Sequence, residues 1–262
     1  MKTWMKVVLG IFAGIALLLA LIFWLTGDVT KAGDDFFGAV QNDDIDSAYE
    51  LLSDDFKAGT SKADLASYLK ANALDKISDV SWGGRMIQNN IAKLDGTVET
   101  KSGDSIPLAL RLVKGKNGWK IQSIRKDPAG FNTGHADIPI PSIAKQTELV
   151  KETVAIFAQS LADKDMTKLY DNSSPMLRQQ VSFDKFNETY GYFFQFAPGY
   201  AAISKQNPVL DEAVINKDTE ILTIKSHYPV KPSTVYFDTL YAYEGTDWKF
   251  AGLVIEIGSK SK

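Results

Sequence analysis

Residues 36–57 read FFGAVQNDDIDSAYELLSDDFK, and residues 156–178 read IFAQSLADKDMTKLYDNSSPMLR. Setting Phe36 on Phe157 fixes an ungapped offset of 121 that pairs Val40 with Leu161, Asp44 with Asp165, Ile45 with Met166 and Tyr49 with Tyr170. The same offset then pairs Ser53 with Ser174, Lys57 with Arg178, Ser61 with Ser182 and Leu65 with Phe186. A solenoid repeats every few tens of residues, so a repeat this long implies duplication of a whole domain. A chain of 262 residues has room for two domains of roughly 100 residues each, each with its own core.

Phe36, Phe37 and Val40 form one apolar face, and Ile45, Ala48, Tyr49 and Leu52 recur at helical spacing. Ser61 with Asp64 three residues on predicts a capped third helix presenting Leu65, Tyr68 and Leu69. The period then falls to two. Ile106, Leu108, Leu110 and Leu112 alternate with smaller or polar residues, and strands over 91–100, 105–113 and 118–125 are separated by KSGD and KGKNG turns. The second copy predicts helices over 148–162 and 166–172, a capped helix from Ser182, and strands over 213–226, 234–243 and 247–257. Each copy closes alike, with Trp119 in GKNGWKI and Trp248 in EGTDWKF just after a turn. Between them DPAGFNTGHADIPIPS, with three prolines and no period, reads as an extended linker. The expected organisation is an anchor over 1–29, a first domain over 30–126, a linker over 127–145 and a second domain over 146–262, each domain α+β with helices packed on an antiparallel sheet.

Val7 to Leu25 carries no charge, and its 19 residues would reach about 28 Å as a helix, close to the thickness of a bilayer core. Trp4 and Trp24 sit at its ends, Lys2 and Lys6 precede it, and Asp28, Asp34 and Asp35 follow, which predicts a cytoplasmic N-terminus with the bulk of the chain on the far side of an inner membrane, periplasmic or extracytoplasmic. The rival is a cleaved signal peptide, disfavoured by Phe23-Trp24-Leu25 where a peptidase needs small residues. Gly10 and Gly14 form a GxxxG pair that would let two such helices approach closely.

The net charge of −3 gives no basic face for nucleic acid, and the absence of cysteine excludes disulfides, thiolate chemistry and a cysteine-linked lipid anchor. The two histidines, His135 and His227, do not make a metal site or a Ser/His pair by themselves and read as surface residues. Asp54-Asp55 reads as a solvated helix end, because adjacent helical residues do not face each other. Gly83-Gly84 lacks the downstream Lys and helix of a phosphate cradle. No cofactor is expected.

Helices first, then an antiparallel sheet closing on GWKI or DWKF, with DIDSAYELLSDDF and DMTKLYDNSSPML ahead of them, resembles the nuclear transport factor 2-like superfamily, also called SnoaL-like or cystatin-like, over about residues 30–126 and 146–258. The resemblance implies two cone-shaped domains, each with a pocket at its open end. It also implies where catalysis would sit if either copy worked like the ketosteroid isomerases of that superfamily, which use a Tyr and a protonated Asp as oxyanion donors and an Asp base. The Tyr position falls at Phe36 and Phe157 and the base near Thr60 and Val181, so neither copy carries that chemistry.

YGYFFQFAPGY, residues 190–200, packs six aromatics into eleven residues: Tyr190, Tyr192, Phe193, Phe194, Phe196 and Tyr200. The first copy has ANALDKISDVS near that place. Such a stretch suits a protein interface, an apolar pocket or the filling of a wider core. Aromatics also recur in TVYFDTLYAY, residues 234–243. The expected function is that of a non-catalytic scaffold, assembly factor or accessory subunit of a membrane protein complex. The plan is similar to the membrane-anchored cone-fold components of type IV secretion and conjugation machines, with a respiratory, photosynthetic or envelope complex equally open and homodimerisation as a further contact. The alternative is an extracytoplasmic binding module for an apolar small molecule or lipid, with Tyr192, Phe194 and Tyr200 pointing inward. An enzyme would need a carboxylate such as Asp211 or Asp238 inside a domain.

Overall fold

The computed structural model describes residues 28–88, 90–127, 138–231 and 233–258. The expected span over 7–25, with Gly10 and Gly14, lies outside them, as does His135. Among the described residues no helix is long and apolar enough to cross a membrane. The chain divides into two compact units, one up to Ala136 and one from Asp137.

The first unit is helical over residues 28–41 (α1), then carries α2 (Ile45–Glu50), α3 (Asp54–Gly59) and α4 (Lys62–Ala71), followed by β1 (Ile77–Gln88), β2 (Ile91–Thr100), β3 (Ser105–Gly115) and β4 (Gly118–Lys126). The strands form one antiparallel sheet in chain order. Its inner face, from Ala92, Leu94, Val98, Ile106, Leu108, Leu110, Leu112, Ile121 and Ile124, buries against Val29, Phe36, Phe37 and Val40 of α1. The second unit has α5 (Ile143–Asp163), α6 (Thr167–Asp171), α7 (Pro175–Gln180), α8 (Phe183–Gly191), a 3₁₀ turn over Tyr192–Phe196, α9 (Ala197–Ile203), β5 (Val209–Ile215), β6 (Leu222–Tyr228), β7 (Val235–Glu244) and β8 (Asp247–Ile257). Its four strands again pair antiparallel in chain order.

The repeated residues are structural pins. Asp44 and Asp165 each accept a backbone N–H from the following helix. Ser53 and Ser174 each cap the next six-residue helix, and Ser61 and Ser182 cap the helix after that, Ser61 in a full capping box with Asp64. Tyr49 donates its hydroxyl to the carbonyl of Thr60 (3.0 Å) and Tyr170 to that of Val181 (2.8 Å), tying the same loop down in both copies. A parallel bridge joins Leu52 to Ile121 in one copy and Ser173 to Phe250 in the other, so the helical layer is stitched to the last strand at the same place. Even the left-handed residue that ends the first helix recurs, as Asp43 and Lys164.

Several expectations are corrected. β1 was not expected, and its alternation is broken by a register shift between Trp82 and Gly84. The strand expected over 213–226 is two strands, β5 and β6, joined by a turn with Asn216 Oδ1 accepting from the N–H groups of Asp218 and Thr219. Asp54 and Asp55 do form a helix end, as expected, but it is the start of a separate helix, α3, where their charges suit the positive end of the helix dipole. The first unit also contains a lock unseen in the sequence. The Trp82 indole of β1 fills a notch left by Gly33 of α1 and Gly96 of β2, where an added Cβ would lie 2.5 Å from its ring, and its Nε1 donates to Asp34 at 2.7 Å.

Candidate functional site

The aromatic stretch enters on an insertion. In the first unit only a few residues separate α4 from β1, whereas in the second α8 runs into the 3₁₀ turn and α9 before β5. Tyr190 and Tyr200 turn inward and pack edge-on against Phe157 of α5, at 6.1 and 5.3 Å between ring centroids. Tyr190 is pinned by its hydroxyl, which donates to the carbonyl of Leu253 and accepts the Leu253 N–H. Phe193 and Phe194 are half-buried against the same core. Tyr192 and Phe196, one on each end of the 3₁₀ turn, face outward at 66 % and 39 % exposure, with centroids 5.9 Å apart. The six residues therefore divide, and an inward Tyr192 is not what the fold presents.

The bridges and sheet registers align the two copies position by position. Leu112, opposite Ala92 and Ile121, corresponds to Tyr241, opposite Leu222 and Phe250. By the same pairing Leu110 corresponds to Thr239, Gly96 to Ser226 and Val98 to Tyr228. On the first helix of each unit, the offset that sets Phe36 on Phe157 sets Ala32 on Thr153 and Ala39 on Ser160. The second unit thus carries a buried hydroxyl at each of these places where the first is apolar. Thr153 Oγ1 and Tyr241 Oη share a hydrogen bond of 2.9 Å, Tyr241 is also bonded to Thr239, and Thr239 donates to the carbonyl of Ile224. Ser160 Oγ, Tyr200 Oη and Ser226 Oγ are buried with no hydrogen-bond partner among the described residues. Burial pushes the phenols of Tyr200 and Tyr241 up to about 12, the latter despite its hydrogen bonds, and raises that of Tyr228 as well. These groups are neutral donors and acceptors at ordinary pH; they cannot serve as bases.

A cleft of about 150 Å³ opens on the second unit, between α5, α6 and the start of β8. The Thr153–Tyr241 hydroxyl pair lies in its wall, beside Ile156 and Trp248, with Glu152, Asn172 and Asp247 also lining it. Lys145 holds the Asp247 carboxylate at 2.9 Å and that of Glu148 at 3.2 Å. Partial burial disfavours the charge on Lys145, but these two carboxylates outweigh it and raise its pKa.

The other residues singled out in the sequence lie elsewhere. Asp211 and His227 pair at 2.9 Å across β5 and β6, with Tyr236 of β7 beside the imidazole. Asp238 alternates with the buried Phe237 and Thr239, on the opposite face of β7. Neither carboxylate is inside the unit. Gly83 and Gly84 lie in β1. Phe36 and Phe157 are fully buried core rings, Thr60 is buried with its carbonyl taken by Tyr49, and the carbonyl of Val181 is taken by Tyr170. Among the described residues no cluster of His, Asp and Glu is arranged to hold a metal.

Residues 28–129 match a family described as a domain of unknown function (DUF4864). The match spans the first unit. No curated protein and no solved structure matches the chain.

Proposed function

We propose that this chain is a membrane-anchored, extracytoplasmic accessory subunit or assembly factor that works through protein contact, built from two tandem cone-shaped domains of the nuclear transport factor 2-like kind. The cone reading is supported by the shared order of elements, helices first and then a four-stranded antiparallel sheet with its inner face buried against them. The anchor reading rests on the uncharged run Val7–Leu25 and its flanking charges.

The observation that carries the contact reading is the Tyr192–Phe196 pair. Two large aromatics stand exposed on an inserted turn whose neighbouring rings are committed to the core. Tyrosine and phenylalanine anchors of this kind are enriched at interfaces, and a short, core-braced turn presents them at little entropic cost. The occupant we assign is an extracytoplasmic segment of another membrane protein. Capture of the full-length chain from gently solubilised membranes tests it: a defined set of membrane proteins should co-purify with the native chain and be lost with Tyr192→Ala/Phe196→Ala. A native chain that emerges alone would overturn it.

A second reading, uptake of an apolar small molecule or lipid by the second unit, is favoured by the buried, unpartnered hydroxyls of Tyr200, Ser226 and Ser160. Mass spectrometry of the chain purified from its native membrane would then show a bound species that Tyr200→Phe/Ser226→Ala reduces.

A further inference from the structure

We infer that the cleft between α5, α6 and β8 is a binding site for a small polyhydroxylated ring of monosaccharide size. It lies apart from the Tyr192–Phe196 turn, and does not depend on the contact reading.

The two copies differ at the cleft. The two cleft residues buried deepest in polar function, Thr153 and Tyr241, replace Ala32 and Leu112. At the edge, Asn172 replaces Leu51 and Asp247 replaces Gly118. All four changes turn an apolar or featureless position into one with a hydrogen-bonding group, and all four line the same depression. A solvated surface needs polar residues at its edge, but it does not require a hydroxyl pair in the buried wall, where Thr153 is 5 % and Tyr241 1 % exposed.

The lining also has a distinct chemistry. Carboxylate and amide oxygens come from Glu152, Asp247 and Asn172, an ammonium from Lys249, and hydroxyl oxygens with acceptor capacity from Thr153 and Tyr241, whose protons are committed within the Thr153–Tyr241–Thr239 chain. Glu152 makes no ion pair among the described residues, while Asp247 is neutralised by Lys145. Even with the Lys249 ammonium, the set accepts more hydrogen bonds than it donates, which calls for a ligand rich in O–H groups. Ile156 and the Trp248 indole supply apolar surface for the C–H face of a ring. Glu152 opposes an anion and Lys249 opposes a cation, so a neutral ligand suits the lining best. A long acyl chain does not fit: a volume of about 150 Å³ holds roughly one six-membered ring. A ligand of this size with few contacts binds with a Kd of the order of a millimolar.

The test is saturation-transfer NMR and calorimetry on the full-length chain in a micelle free of sugar headgroups. The probes are glucose, N-acetylglucosamine and myo-inositol, with cyclohexylamine as a cationic ring of similar size. At least one polyol should bind saturably at about 10 mM or below. Tyr241→Phe, which keeps the ring and removes the hydroxyl, should weaken it about tenfold. Glu152→Gln, at an exposed position that leaves the fold intact, should weaken it about threefold or more. No saturable binding by any polyol overturns the proposal, as does binding that neither variant changes. Binding of cyclohexylamine alone overturns the ligand class.

Discussion

Replacing Gly33 by alanine should destabilise the first unit, although alanine is the better helix former by about 1 kcal/mol. Gly33 lies in α1, and a Cβ there would stand 2.5 Å from one carbon of the Trp82 ring and 3.1 and 3.2 Å from two others, with no other atom among its nearest contacts. The indole must move, and overpacking of this kind costs about 1–3 kcal/mol. Displacing it also strains the 2.7 Å bond from Trp82 Nε1 to Asp34, worth about 1 kcal/mol, and the contact with Phe37. Setting roughly 2–4 kcal/mol of loss against about 1 kcal/mol of helix propensity leaves a net cost of roughly 1–3 kcal/mol. For a unit of about 100 residues that lowers Tm by roughly 5–20 °C. Because every nearest contact belongs to Trp82, the sign should reverse in a Trp82→Leu background, where Gly33→Ala should stabilise by up to about 1 kcal/mol. Thermal unfolding of the four chains, followed by circular dichroism, completes the cycle. A neutral or stabilising effect with Trp82 present, or the same sign in both backgrounds, refutes the lock.

Other outcomes follow from the same contacts. Tyr49→Phe and Tyr170→Phe should each cost about 1 kcal/mol in chemical denaturation, since each removes one hydroxyl donated to a loop carbonyl. The second unit should lose stability in alkali. Tyr241, raised to about 12 when folded, stays neutral where an unfolded phenol ionises near 10, so its contribution is intact below about pH 10 and declines by about 1.4 kcal/mol per pH unit up to about 12. Tyr241→Phe should make the unit's alkaline decline shallower by that amount in a pH series of unfolding curves, leaving the share carried by Tyr200 and Tyr228. Tyr192→Ala, at an exposed site, should change stability by no more than about 0.5 kcal/mol, so that any loss of partners reports on contact alone.

The helical layer was legible because its pins are local. Asp44, Ser53, Ser61 and their second copies act on backbone N–H groups within three residues, and the spacing of Ile45, Ala48, Tyr49 and Leu52 is a single helical face. What escaped was non-local or too short. β1 carries two charged residues, a Gly-Gly pair and two register shifts, so its alternation never runs long enough to register. The β5–β6 turn escaped because its left-handed residue is Glu220 rather than glycine. The six-residue α3 and α7 span less than two turns, too few for a period to show. In the aromatic stretch the 3₁₀ turn places Tyr192 and Phe196 outward while Tyr190 and Tyr200 reach the core from the flanking helices, a division set by the insertion. The cleft was not foreseen at all. Its wall joins residues from α5, α6, β7 and β8, and the signal lay in the exchange of Ala32 for Thr153, which the sequence offset pairs, together with that of Leu112 for Tyr241, which only the strand registers bring into correspondence.

The contact account is tested most directly by placing a photocrosslinking phenylalanine analogue at Tyr192 in cells, with a second chain carrying it at Phe196 and a control at the exposed Lys217 of the β5–β6 turn. The account predicts that light joins positions 192 and 196 to the same membrane protein and leaves position 217 unlinked. No crosslink from 192 or 196, the same products from 217, or linkage only to a second copy of the chain would contradict it.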